Sequence, residues 1–310
     1  MIDHRYLERS ELRGYAAQDY DVIDYQMWSP TLQPALQIRG PYPEQLAPGR
    51  YIVAIGAAQT FGRFVDKSYS QLLAERLGVT VLNLGFAGAG PSFFLKQNIL
   101  PLINDAALVI VQAMSGRSLS NSVFNCPQGD GLLQRRDQGP GARPQLALDA
   151  WRGWMNDLKV EFGERHEARK REILSVVDES RIRWVGEMVR LRHALRPPAL
   201  LFWFSKREPT YELQFSHPEL VLGEFPQLVD EQSFRSAARA YDAVAEAVTS
   251  RGSPQPLVSR FTGAPHVIDR GFRFPTSNAY YPSPEMHQDA AAVLAPLIPP
   301  LLDRQGQRSG

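Results

Sequence analysis

The chain has 310 residues, 44% of them hydrophobic and 22% charged, and 34 basic against 33 acidic side chains leave a formal net charge of +1. That balance excludes sequence-independent nucleic-acid binding, which needs a surplus of Lys and Arg against phosphate, and the hydrophobic share is that of a folded chain rather than a disordered one. A single cysteine, Cys126, excludes an internal disulfide framework and any multi-cysteine metal site.

The N-terminus (MIDHRYLERSELRGY) is charged and lacks an apolar run, so it reads as no secretory signal, and no stretch of about 18 apolar residues is present to span a membrane. The expected location is the cytoplasm. Prolines number 24, about 8% against an average of about 5%, and they imply an elaborate loop system, since proline suits loops and helix starts.

Residues 1–50 read as an irregular N-terminal extension, in which DYDVIDYQMW (19–28) fits either a strand or a helix. YIVAIG (51–56) is a short apolar run ending in glycine, as expected of a buried parallel strand. The stretch after it is helical through DKSYSQLLAERLG, with Tyr69, Leu72, Leu73 and Leu77 on one face and Gly78 as its stop. VTVLNL (79–84) is a second strand, the glycine-rich turn GFAGAG leads to Pro91, and a helix is predicted over 91–105. ALVIVQA (107–113) makes a third strand.

A polar, glycine-rich loop (115–144) and a helical insertion at about 145–196 follow, and Pro197 and Pro198 end that helix ahead of a fourth strand, ALLFWFS (199–205). Residues 228–242 read as helix. For 243–249 composition favours helix, whereas the sheet architecture favours a fifth strand. A proline- and glycine-rich stretch (250–284) precedes a final helix over 284–303, and 304–310 form a tail. Strands alternating with helices at this spacing predict a three-layer, doubly wound α/β fold with a mostly parallel sheet, as a single domain over 51–303.

Ligands of such sheets bind beyond the carboxyl ends of the strands, which directs attention to the turns there. The first reads Gly56-Ala57-Ala58-Gln59-Thr60-Phe61-Gly62 and the second Asn83-Leu84-Gly85-Phe86-Ala87-Gly88-Ala89-Gly90. Neither has the dinucleotide glycine spacing, and no Walker-type motif is present.

Strand, G-x-x-x-T-x-G, helix, strand and N-x-G-x-x-G in this order resemble the SGNH (GDSL-type) hydrolase superfamily, over 51–113 closely and over 199–303 loosely. GAAQTFGRF, NLGFAGAGPSFFL, QAMSGRSLSN and YYPSPEMH together resemble a bacterial branch of it. The resemblance implies a flavodoxin-like sheet, a serine nucleophile in the first block, a glycine N–H for the oxyanion in the second, and an Asp-x-x-His pair before the final helix. Laid on this sequence, Ala58 stands at the nucleophile position, Gly88 at the oxyanion glycine, Met114-Ser115-Gly116-Arg117 at the Gly-x-Asn-Asp block, and Asn278 and Tyr281 at the Asp and His positions. A methyl group cannot attack a carbonyl, and neither Asn nor Tyr replaces the Asp–His couple near neutral pH.

Two functional readings follow. The first is an SGNH-like protein without the Ser-Asp-His triad, whose cleft binds a polar ligand, an acylated or anionic sugar or metabolite. Its ligand contacts are Gly56, Gln59, Gly88, Arg117, Asn121, Lys206 and Arg207, with the three cations grouped to receive an anion. The second is an active ester hydrolase, or an acyl or sulfo-type transferase, that uses His287, Thr60 or Ser115; His287 is its first candidate as base. A nucleotide-dependent transferase is a third reading and needs a phosphate on one of the two glycine turns. No cofactor, metal or nucleic acid is expected; the partner is a small molecule or glycan-type ligand.

Overall fold

The computed structural model describes residues 4–31, 33–43, 46–139, 141–158, 167–215, 217–268 and 275–308. Five parallel strands form the central sheet: β1 (Tyr51–Gly56), β2 (Thr80–Gly85), β3 (Leu108–Gln112), β4 (Ala199–Ser205) and β5 (Ala243–Val248). Their order in space, β2-β1-β3-β4-β5, is the flavodoxin-type order with its switch point between β1 and β3. The segment on which composition and architecture disagreed is thus a strand, paired in parallel with β4.

Alternation along the strands sorts the core into two layers. Val53, Ile55, Val109, Val111, Leu201 and Trp203 face one side of the sheet, packed with Trp184, Met188 and Leu191. Ile52, Ala54, Leu108, Ile110, Leu200 and Phe202 face the other, packed with Tyr69, Leu73, Met286, Ala290 and Leu294. The main helices are α1 (Ala58–Phe61), α2 (Tyr69–Leu77), α3 (Leu100–Asn104), α4 (Ala147–Asp157), α5 (Glu167–Ala194), α6 (Glu231–Ala238), α7 (Pro284–Leu294) and α8 (Ile298–Arg308), with further short helices at Gly14–Gln18 and Pro218–Leu222; α5 supplies the partners on the first side, α2 and α7 those on the second.

Three expectations change. The helix expected over 91–105 is a 3-10 turn, Pro91–Leu95, followed by the short α3. Pro101 lacks an N–H and is tolerated only in a first turn, so it forces a fresh helix start at Leu100. The last helix is split for the same reason, with Pro296 in a 3-10 turn between α7 and α8, and it runs on to Arg308. The segment expected as an insertion also supplies the sheet's crossover helix. Ile173, Val176 and Val177 of α5 pack with Trp151 and Trp154 of α4 in a separate cluster, whereas its Trp184, Met188 and Leu191 lie on the sheet.

Candidate functional site

At the switch point, Gln112 ends β3 and reaches across to the turn after β1. Its Oε1 accepts hydrogen bonds from the Ala57 N–H (3.0 Å) and the Thr60 hydroxyl (2.9 Å). The Thr60 oxygen also lies 3.0 Å from the Tyr69 hydroxyl, so Thr60 is fully partnered and 0% exposed. Only glycine leaves room for this, because a Cβ on Gly56 would collide with Thr60 Oγ1 and Gln112 Oε1. Gly85 is constrained likewise, since its would-be Cβ would run into the Phe61 backbone nitrogen. Asn83 completes the knot: its amide donates to Thr60 O, Ser68 Oγ and Ser70 Oγ and accepts from the Gly85 N–H. The glycines expected to cradle a ligand or phosphate therefore admit α1 and its side chains instead.

Ala58 opens α1 with its methyl inside an apolar cluster of Val22, Phe64, Leu257, Ile268 and Tyr281. That cover is pinned by a buried ion pair. Arg63 Nε and Nη2 each lie 2.8 Å from an Asp19 carboxylate oxygen, and the side chains are 5% and 0% exposed. The Arg63 guanidinium also sits 3.8 Å from the Tyr15 ring centre and donates to the Tyr281 hydroxyl (3.2 Å), which lies 2.7 Å from the Tyr15 hydroxyl. Burial holds the Tyr281 phenol well above its usual range, so it remains protonated. Asn278 closes the turn before it, accepting from the Tyr280 and Tyr281 N–H groups and donating to Tyr281 O. The positions at which the resemblance implies an acid–base couple are thus a turn-closing amide and a fixed phenol.

His287 is fully buried in α7. Its Nδ1 accepts from the Tyr69 N–H at 3.0 Å, and its Nε2 has no partner among the described residues. Burial foremost, and then the positive charge of Arg39, push its pKa down to about 3, so the imidazole is neutral with its proton on Nε2. Arg39 is itself buried and donates to the carbonyls of Gly62, Val65 and Asp66, which fixes the turn after α1.

The other expected contacts are dispersed. Gly88 (φ +73°) carries the backbone of a loop, with Asp130 O 2.7 Å from its would-be Cβ, and the Gly90 N–H donates to Gly129 O. Ser115 accepts from the Arg117 N–H and caps the 3-10 turn Gly116–Ser118. Asn121 donates to Ser180 Oγ and closes its own loop through the Val123 and Phe124 N–H groups. Arg117 has Nε and Nη1 buried with no partner among the described residues. Arg207 corrects the expected anion cluster. Its five N–H groups go to the carbonyls of Glu224, Glu208, Pro209, Pro226 and Val229, its guanidinium lies over Trp203 and Tyr211, and none of its donors is left for an anion.

Two expected residues do meet. Gln59 and Lys206 line one pocket of about 60 Å³ beyond the end of β4, together with Ser205, Glu224 and Tyr280. Phe204, Phe225, Pro282 and Met286 form its apolar wall. Gln59 is 3% exposed and its Oε1 has no donor among the described residues, a condition that costs about 1–3 kcal/mol for a buried acceptor. Lys206 Nζ donates to Ser253 Oγ (2.7 Å) and to the Ala279 carbonyl, and partial burial lowers its pKa. Sequence reasoning missed Glu224, Tyr280 and Gln112. Only Gln112 left a trace, as the one polar residue within ALVIVQA.

Among the described residues no group of three or more His, Cys, Asp or Glu side chains could hold a metal ion, and no helix is long and apolar enough to cross a membrane.

The family described as a domain of unknown function (DUF6473) matches residues 12–128. No curated protein matches the chain. Among solved structures, a carbohydrate esterase family 2 enzyme with a carbohydrate-binding domain from Corynascus thermopiles (Myceliophthora fergusii) is 15% identical at a TM-score of 0.40, covering 86% of this chain and 71% of its own. The lipase Lip_vut3 from a goat rumen metagenome is 12% identical at a TM-score of 0.38, over 78% and 96% of the two chains. A family two carbohydrate esterase from Clostridium thermocellum, in complex with cellohexaose, is 11% identical at a TM-score of 0.36, over 90% and 70%. These superpositions are loose.

Proposed function

We propose that the chain is an SGNH-like protein that has given up ester hydrolysis and binds a small polar ligand, an acylated or anionic sugar or metabolite, beside the position its relatives use for catalysis. The observation that carries this reading is Ala58, a methyl group at the nucleophile position, packed against Tyr281 and Phe64. The pocket lined by Gln59 and Lys206 is the place for the ligand.

The competing reading, a hydrolase or transferase with substitute residues, needs a nucleophile and a base within hydrogen-bond reach of each other. Thr60 spends its hydroxyl on Gln112, Ser115 is a cap, and the buried neutral His287 accepts from a backbone N–H. A phosphate on either glycine turn meets the side chains and backbone that already fill it. The test is turnover of aryl acetates together with labelling by a serine-directed fluorophosphonate. Neither is expected above the buffer rate. Turnover abolished by Thr60→Ala or Ser115→Ala overturns the binding reading.

A further inference from the structure

Building on that reading, we infer that the pocket beyond β4 takes an uncharged vicinal diol, such as one edge of a pyranose ring, with Gln59 Oε1 as acceptor and Lys206 Nζ as donor. Gln59 lines the pocket, is nearly fully buried, and its carbonyl has no donor among the described residues, so a ligand O–H or N–H would satisfy it. Lys206 has three N–H groups, of which Ser253 Oγ and Ala279 O take two, leaving one for a ligand acceptor. One donor and one acceptor on the same small pocket complement a pair of adjacent hydroxyls, each of which can both give and take a hydrogen bond.

The same count argues against an anion. A carboxylate or phosphate is best held by a fork of N–H groups, yet the neighbouring Arg207 has committed all five of its own to carbonyls. Glu224 also lines the pocket, close enough for its charge to act on the Lys206 ammonium, and that negative charge repels an anion. The apolar wall suits the C–H face of a sugar. Tyr280 stands at the rim, 39% exposed, with its hydroxyl held by the Gln227 amide at 2.9 Å. A buried water needs roughly 10–15 Å³ of such space, so a pocket of about 60 Å³ admits several hydroxyl-sized groups, as a ring edge presents.

The experiment is saturation-transfer NMR on the full chain with methyl β-glucopyranoside, methyl α-mannopyranoside and methyl β-galactopyranoside as uncharged probes. Glucuronate and inorganic phosphate serve as anionic probes, and glycine as a zwitterion. At least one glycoside is expected to bind, and Gln59→Leu to weaken it by about tenfold while leaving the thermal midpoint unchanged or raised, because an orphaned buried carbonyl is replaced by an apolar group of similar shape. Lys206→Met gives the second readout, with a similar loss, should the Gln59→Leu variant not fold. Binding of glucuronate, phosphate or glycine alone overturns the diol assignment. So does an absence of glycoside binding at tens of millimolar, or binding that neither substitution weakens. Any of these outcomes leaves the non-hydrolytic reading standing; aryl-acetate turnover overturns that reading and leaves the diol assignment to be judged by binding.

Discussion

Ala58 and Gln59 are chain neighbours on the same four-residue helix, yet they serve two different environments. Ala58 is covered by residues from the N-terminal segment and from the loop before α7, and an ion pair buried between Arg63 and Asp19 anchors that cover. Gln59 lines a pocket whose other walls come from β4, from the loop before α6 and from the turn at Ala279–Pro282. Successive helical residues project about 100° apart, so one can be absorbed into a core while the next keeps a cleft. An apolar residue packed into the core at one helical position therefore need not close a site at the next.

The division between cover and cleft is most exposed to attack at the ion pair. Asp19→Ala takes the carboxylate partner away from the buried Arg63 guanidinium and is expected to cost about 3–5 kcal/mol, read as a fall in the urea midpoint. A loss under about 1 kcal/mol, in the range of a surface pair, would mean that the cover over Ala58 is not anchored there. Acid provides a second lever through His287, whose pKa falls from an ordinary 6.5 to about 3 on folding. Between those two values the unfolded chain takes up a proton that the native chain refuses, so this group's contribution is whole above pH 6.5. It is then lost at about 1.4 kcal/mol for each unit of acidification. His287→Gln, which keeps an acceptor for the Tyr69 N–H, should flatten that slope between pH 6.5 and 4.5; an unaltered slope contradicts a buried neutral imidazole.

Smaller effects separate the two environments further. Gln112→Leu orphans the Ala57 N–H and leaves the Thr60 hydroxyl with Tyr69 alone, and should cost about 1–3 kcal/mol, against none for Gln59→Leu on the pocket side. Calorimetric midpoints of the two variants decide this, and equal losses would erase the distinction between knot and pocket. Ala58→Ser puts a hydroxyl into the apolar cluster at a cost of about 1–3 kcal/mol and should restore no ester turnover, because neither Asn278 nor Tyr281 can serve as its base. Aryl-acetate hydrolysis by that variant above the wild-type rate would show the old machinery to be intact but for one atom.

The sheet was legible because its strands are short apolar runs bounded by glycine, proline and polar turns. β5 was ambiguous in composition and was resolved by pairing with β4, a tertiary effect that local sequence does not carry. Pro101 misled in the opposite sense: its effect was local, yet a periodic apolar pattern masked it. At the site, Gln59 and Lys206 were legible as polar residues at strand ends, whereas Arg207 carried the same signal and proved to be an internal strut. A charge in a loop does not disclose whether carbonyls will surround it. Asp19 and Arg63, 44 residues apart, left no sign of their pairing, since the short helix Gly14–Gln18 that Asp19 ends acquires its position by packing over α1.

Whether this cleft binds without cleaving can be read from one NMR sample. The protein is mixed with a mono-acetylated methyl glucopyranoside, and saturation transfer to the sugar and release of free acetate are followed together. Saturation transfer to the ring protons is expected, with acetate released at the rate of buffer alone. Acetate release that rises in proportion to protein concentration and falls in Gln59→Leu would contradict a cleft that only binds.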